Sequence, residues 1–127
     1  MNCFITNKFN QPIPFYLKVA DNPTSRNLGL MYQNYLPQQH GMLFIYENPT
    51  TCKIWMKNTI IPLDVLFLDD SFTIFDIKHG KPFDESLIES EKKDINTGDL
   101  LKCKYVIELP LESCKYFNIV PGCKLIV

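Results

Sequence analysis

The chain has 127 residues, of which 46% are hydrophobic and 21% are charged, and its formal net charge is −1. This length and composition fit one globular domain, 1–127, and argue against intrinsic disorder. The basic residues are scattered rather than clustered, and no apolar run approaches the roughly 20 residues that span a bilayer, so we predict neither a nucleic-acid partner nor a membrane span.

The first third of the chain has the pattern of a hairpin followed by a helix. Phe4–Thr6 and Phe15–Ala20 are strand-like, and in the second segment apolar and polar residues alternate, which indicates one buried face. The helix is predicted to run from Pro23 to about Tyr32. Asp21 is its predicted cap, because a short polar side chain accepts hydrogen bonds from the free N–H groups of a first turn.

The middle of the chain predicts further strands and one long loop. The first of these strands, Gly41–Tyr46, is a continuous apolar run, typical of a strand covered on both faces. A turn at Asp69–Ser71 joins the last two as a hairpin. The predicted strands are Gly41–Tyr46, Ile54–Lys57, Leu63–Leu68 and Phe72–Lys78. Residues 80–99 form the most polar stretch, which we interpret as a surface loop with room for one helical turn.

The segment Leu101–Leu109 has the clearest two-residue period in the chain. Glu108 is predicted to face solvent, together with Lys102 and Lys104. The residues predicted to face inwards are Leu101, Cys103, Tyr105, Ile107 and Leu109. A short helix over Pro110–Phe117 and a last strand over Lys124–Val127 follow. The whole pattern predicts a mainly β (α+β) fold, a compact barrel-like sheet of about seven short strands with two short helices.

The cysteines and the N-terminus suggest a reducing compartment. The cysteines are odd in number and contain no C-x-x-C spacing, so we expect reduced thiols rather than a disulfide framework or a zinc knuckle. They are Cys3, Cys52, Cys103, Cys114 and Cys123. Residues 1–8 lack the basic start and apolar stretch of a secretory signal, so the chain as it stands is expected to be cytoplasmic.

Four segments resemble a known family in their order and spacing. They are Ala20–Pro23 with Arg26 and Gly29-Leu30-Met31, then Gly41–Phe44, Trp55–Asp64 and Tyr105–Pro110. The chain resembles domain-of-unknown-function family 192 over nearly its whole length, most specifically in the W-M-K-N-T-x-x-P-L-D block. The resemblance implies a small β-rich domain without an established activity, often exported. This chain departs from it in lacking an export signal and in having a charged loop where relatives tend to be proline-rich.

Asp64 is the most informative residue, because it interrupts an otherwise apolar stretch and shares a strand face with two leucines. An ionised carboxylate in such surroundings costs several kcal/mol unless a partner compensates it. Arg26 and Lys57 are the cations within the matching segments, and Asn58 offers a hydrogen bond. Two interpretations stay open: a ligand-facing polar cluster of these residues, or a buried ion pair that fixes a strand and a helix in register.

Trp55 lies on the same face as Lys57 if the segment is extended. An aromatic plate beside a cation and an amide suits a small ligand such as a sugar or a planar anion. The alternative is a core tryptophan whose indole N–H is satisfied. We take Arg26, Trp55, Lys57, Asn58 and Asp64 as the candidate ligand-binding residues.

The chain contains no recognised nucleophile, metal-ligand spacing or acid–base pair, which favours a non-enzymatic domain. We predict a binding or accessory domain, without a cofactor, whose polar cluster around Lys57, Asn58 and Asp64 holds a small polar molecule or a protein partner. One alternative is a small hydrolase-like enzyme with Asp64 as general base. A second is a soft-metal site, in which the methionines and His40 bind copper.

Overall fold

The computed structural model describes residues 1–127 and contains seven strands and two short helices. In chain order these are β1 (Asn2–Thr6), β2 (Pro12–Ala20), α1 (Pro23–Leu28), β3 (His40–Thr50), β4 (Leu63–Leu68), β5 (Ile74–Gly80), β6 (Cys103–Pro110), α2 (Ser113–Phe117) and β7 (Leu125–Ile126). The predicted mainly β fold is confirmed. The predicted strand at Ile54–Lys57 is wrong, because only Ile54 forms a bridge, with Ile88.

The seven strands form one curled half-barrel sheet in the order β5-β4-β6-β3-β2-β1-β7. Neighbouring strands are antiparallel except β2 and β3, which are parallel. The two outer strands approach each other at one end, where Thr73 bridges Lys124 and the Ile74 N–H donates to the Cys123 carbonyl at 2.8 Å. The sheet therefore curls around one apolar interior.

Each face of the sheet carries its own apolar layer. The inner core contains residues of all seven strands, of α2 and of the segment between α2 and β7. They are Cys3, Ile5, Phe15, Leu17, Leu43, Leu66, Leu68, Ile74, Ile107, Leu109, Cys114, Ile119, Cys123 and Leu125. The outer core consists of Ala20, Leu30, Met42, Phe44, Cys52, Ile54, Met56, Leu63, Val65, Phe67, Cys103 and Val106. Because irregular segments around Leu30 and Ile54 cover the outer face, every residue of β4 is buried.

The outer layer explains why the prediction for Glu108 is wrong. Ile107 and Leu109 point into the inner core, whereas Val106 and Glu108 lie on the outer face, and Glu108 is only 3% exposed. A two-residue period tells which residues share a face, but it does not tell whether the other face meets water or a second layer.

The start of α1 follows from local capping, whereas its end at Leu28 comes earlier than the predicted Tyr32. Asn22, rather than Asp21, caps α1: its side chain accepts from the Ser25 N–H at 2.8 Å, and the Ser25 hydroxyl accepts from the Asn22 N–H at 3.2 Å. The helix ends before Gly29, whose φ of 49° lies in the left-handed region that glycine tolerates. α2 begins at Ser113, later than predicted. The polar segment 81–102 is irregular apart from one turn, in which the Gly98 N–H donates to the Asp94 carbonyl four residues earlier at 2.9 Å.

Two of the five cysteines are paired, so the expectation of five reduced thiols is wrong. A disulfide joins Cys52, just after β3, to Cys103, the first residue of β6. Their Cα atoms are 6.2 Å apart, within the range that a disulfide bridges. Thr50 pairs with Cys103 across the two strands, which brings Cys52 close although the sequence separation is 51. The other three cysteines are free and buried.

The longer helix, α1, has six residues, and neither helix has the length and apolar character that a membrane crossing requires.

Gly41 is required by the close approach of β3 to β6. A side chain there would collide with the backbone carbonyl of Glu108 and the side chain of Leu109. We expect Gly41→Ala to lower the free energy of unfolding by about 2–3 kcal/mol, because backbone cannot move aside as a flexible side chain can. Urea unfolding at neutral pH measures this effect, and an unchanged midpoint would show that the two strands separate easily.

Candidate ligand-binding site

Asp64 joins β4 to the start of α2. Its side chain is 1% exposed, and its two oxygens accept from backbone N–H groups, Oδ1 from Glu112 at 3.1 Å and Oδ2 from Cys114 at 2.9 Å. The Nε2 atom of the exposed His79 ring lies 3.5 Å from Oδ1 of Asp64. The ion pair with Arg26 or Lys57, one of the two interpretations that the sequence left open, does not form. Asp64 therefore holds the backbone of the α2 turn in place.

Cys114 lies beside this carboxylate and is a poor nucleophile. Burial raises the pKa of its thiol well above the ordinary value, and the negative charge of Asp64 raises it further. Because the thiolate is the reactive form of cysteine, this thiol does not supply a catalytic group near neutral pH.

Lys57 and Asn58 belong to a half-buried turn and do not hydrogen-bond with Asp64. The Lys57 ammonium lies over the Trp55 ring, 5.1 Å from its centroid. Asn58, at a φ of 53°, donates from its side-chain amide to the Tyr32 hydroxyl at 3.0 Å. The structure thus places Lys57 beside Trp55, and neither residue is a partner of the Asp64 carboxylate.

Arg26 and Trp55 line the same cavity, which lies between α1, β3, β6 and the segment around residues 53–59. Its volume is about 190 Å³. The lining residues are Arg26, Asn27, Leu28, Gly29, Leu30, Met31, Phe44, Tyr46, Lys53, Ile54, Trp55, Thr59 and Glu108. Arg26 comes from the last turn of α1, donates from Nη1 to the Ile45 carbonyl at 2.9 Å, and lies 4.9 Å from the Tyr46 ring centroid.

Glu108 forms part of the wall of this cavity from within the sheet. Its neighbours across the strands are Met42 and Val65, both apolar. No hydrogen bond or ion pair in the chain involves its carboxyl group. Every side-chain oxygen or nitrogen atom that is fully buried does have a partner, so the Glu108 oxygens are not fully buried. The Glu108 oxygens therefore reach the cavity surface. Burial raises the pKa of Glu108 to about 8, so at neutral pH it is a carboxylic acid with one O–H to donate.

Tyr46 stays a neutral phenol beside these groups. Burial raises its pKa, the Arg26 charge lowers it, and Glu108 raises it. At neutral pH the cavity presents a guanidinium, a rim lysine at Lys53, two uncharged hydroxyl donors and the Trp55 ring. This combination of an apolar wall with a few convergent polar groups suits a small organic molecule.

The residues of the copper hypothesis are divided between the outer core and the surface. Met42 and Met56 are buried in the outer core, and His40 is exposed, with Nδ1 3.2 Å from the Gln38 carbonyl. No group of three or more His, Cys, Asp or Glu side chains is placed to hold a metal ion.

Sequence reasoning missed Glu108 and Tyr46. One signal was available for Glu108: it shares a strand face with Val106, and an apolar residue on that face indicates a covered rather than a solvated surface. The sequence contained no such signal for Tyr46. It ends the apolar part of β3, and the strands beside β3 are known only from the sheet order.

A model of the family described as an uncharacterized ACR matches residues 5–127. The chain belongs to domain-of-unknown-function family 192. The fold of this family member also matches solved structures. A crystal structure from Sinorhizobium meliloti 1021, provisionally described as a transcription regulator, is 30% identical, with a TM-score of 0.88 over 98% of this chain and 90% of that one.

A second crystal structure, of a protein of unknown function from Novosphingobium aromaticivorans DSM 12444, is 23% identical. Its TM-score is 0.87 over 100% of this chain and 84% of that one, which shows a shared fold. No curated protein matches this member of the family. The function of the family is unknown, so any function for this chain has to be argued from its own cavity.

Proposed function

We propose that the chain is a non-enzymatic binding domain that holds a small polar organic molecule in the cavity of Arg26, Tyr46, Trp55 and Glu108. The observation that carries the proposal is the Glu108 carboxyl group, buried and without a partner in the chain, at the wall of a cavity. Because its oxygens reach the cavity surface and have no partner in the chain, this carboxyl group is available to bond to a ligand.

The predicted site residues take different parts in this proposal. Arg26 and Trp55 contact the ligand, since both line the cavity. Lys57 is a positioning residue through its contact with the Trp55 ring, and Asn58 fixes the turn that carries them by bonding to Tyr32. Asp64 lies outside the binding site, because its oxygens are engaged by backbone N–H groups.

Binding is favoured over catalysis by what the cavity contains. Glu108 is its one carboxyl group, and no histidine, cysteine or serine lines it. The Thr59 hydroxyl donates to the Lys57 carbonyl at 3.0 Å, so it is held by the turn. The hydrolase hypothesis required Asp64 as a free base, whereas a carboxylate that already accepts two backbone hydrogen bonds and is 1% exposed cannot reach a substrate.

Ligand-induced stabilisation of the folded chain tests the proposal. Wild type, Glu108→Leu and Glu85→Leu would be heated with a panel of small carboxylic acids, amides, amines and sugars. Glu108→Leu removes the polar group without leaving a hole and is expected to fold, whereas the exposed Glu85 supplies the matched substitution outside the cavity.

We expect at least one compound to stabilise wild type and Glu85→Leu by about 2.7 kcal/mol at 100 times its Kd, and not to stabilise Glu108→Leu. The proposal fails if no compound stabilises the wild type, or if Glu108→Leu is stabilised equally.

A further inference from the structure

The charged groups of the cavity define the charge of its ligand. Arg26, Lys53 and Glu108 are the charged residue types that line it. The chain contains two ion pairs, His79–Asp64 and Lys115–Glu112, so neither Arg26 nor Lys53 is neutralised by a carboxylate. Because Glu108 is protonated at neutral pH, the cavity carries net positive charge and attracts a small anion.

The hydrogen-bond donors define the chemical group. One guanidinium N–H of Arg26 is used by the Ile45 carbonyl, and its remaining N–H groups have no acceptor in the chain. The protonated Glu108 adds an O–H donor. A carboxylate accepts two parallel bonds from a guanidinium, and it forms short, charge-assisted bonds with an O–H group.

The remaining walls define size and shape. The cavity volume of about 190 Å³ is small for a ligand pocket and suits a ligand of roughly one ring with a short substituent. The apolar part of such a ligand would meet Leu30, Phe44 and Trp55, of which two are flat aromatic rings.

Resting on the proposed binding function, we propose that the ligand is a small planar monocarboxylate whose carboxylate accepts from Arg26 and Glu108. Its ring packs against Phe44 and Trp55. Lys53, an exposed residue at the rim, contributes long-range attraction.

The proposal has a pH consequence, since Glu108 must be protonated to donate. The titratable groups that line the same cavity are Tyr46 from β3, Arg26 from α1 and Lys53 from the covering segment, while β4 presents apolar Val65 to Glu108. Burial raises the pKa of Glu108 to about 8. Above that pH the competent fraction falls, and the apparent Kd rises about tenfold per pH unit.

Calorimetric titration with benzoate, benzamide and benzylamine at pH 6.5 and 9.5 tests this class. These three probes share a ring and differ in whether the substituent is an anion, a neutral amide or a cation. The variants are Arg26→Gln, Glu108→Gln and, as a control, Lys81→Gln, an exposed lysine that does not line the cavity.

We expect benzoate to bind wild type and Lys81→Gln at pH 6.5 at least tenfold more tightly than benzamide, and benzylamine not to bind. Arg26→Gln weakens benzoate at least tenfold. Glu108→Gln still donates from its amide, so it binds benzoate but loses the weakening between pH 6.5 and 9.5.

Tighter binding of benzamide or benzylamine overturns the carboxylate class while keeping the binding function. Benzoate binding that survives Arg26→Gln unchanged also overturns it. Failure of benzoate, while another compound stabilises the chain in a Glu108-dependent way, rejects the class alone. Failure of every compound rejects the class and the binding function together.

Discussion

Asp64→Ala is expected to lower the free energy of unfolding by about 3–5 kcal/mol, because it removes a buried acceptor on which two backbone N–H groups depend. The side chain of Asp64 is 1% exposed, and its oxygens accept from Glu112 and Cys114 at 3.1 and 2.9 Å. Without them, both N–H groups lose their partner and the start of α2 loses its hydrogen bonds to β4. Urea unfolding at pH 7 measures the change.

His79→Ala is the matched control for Asp64. The His79 side chain is 62% exposed and lies 3.5 Å from the Asp64 carboxylate, so this contact contributes less than about 1 kcal/mol. If Asp64→Ala proves no more destabilising than His79→Ala, Asp64 is not a structural acceptor. Its carboxylate would then be available for the role in ligand binding that the sequence suggested.

Wild-type stability is expected to contain a contribution from Glu108 that decreases as pH rises. Burial raises the pKa of this residue from 4.5 to about 8. Between these values the native state keeps a proton that the unfolded state has lost, so the contribution is complete below pH 4.5 and disappears as pH rises through 8. Between pH 5 and 7.5 this amounts to on the order of 3–4 kcal/mol.

Urea unfolding of wild type and Glu108→Gln at pH 5, 6 and 7.5 isolates this contribution, because glutamine does not titrate. The free-energy difference between the two proteins should grow with pH in favour of the variant. Glu85→Gln, at an exposed position, should differ from wild type by a constant amount. A constant difference for Glu108→Gln as well would mean that native Glu108 is ionised at neutral pH, which removes the net positive charge assigned to the cavity.

The features that sequence predicted well are those that depend on neighbouring residues. The strand at Leu63–Leu68 was placed from its apolar run and its turn, and the start of α1 at Pro23 followed from the polar capping residues before it. The inward positions of Ile107 and Leu109 followed from a two-residue period. Each depends on backbone geometry over a few residues.

The features that sequence did not predict depend on strand order. Arg26, Tyr46 and Glu108 converge because β6 lies beside β3 and α1 covers that face, an arrangement that local patterns do not encode. Asp64 was correctly singled out as a buried charge in need of a partner. Its partners are the backbone N–H groups of Glu112 and Cys114. Every residue except proline has such a group, so the residue types in the sequence do not reveal which ones bind Asp64.

A crystallographic fragment screen of the wild-type protein with small polar fragments tests whether the cavity is a binding site. We expect fragments to collect in the cavity between α1, β3 and β6, with a polar atom within hydrogen-bonding distance of the Glu108 carboxyl group. Fragments that avoid this cavity and collect instead beside Tyr35 and His40, where a second cavity of about 190 Å³ lies, would contradict it.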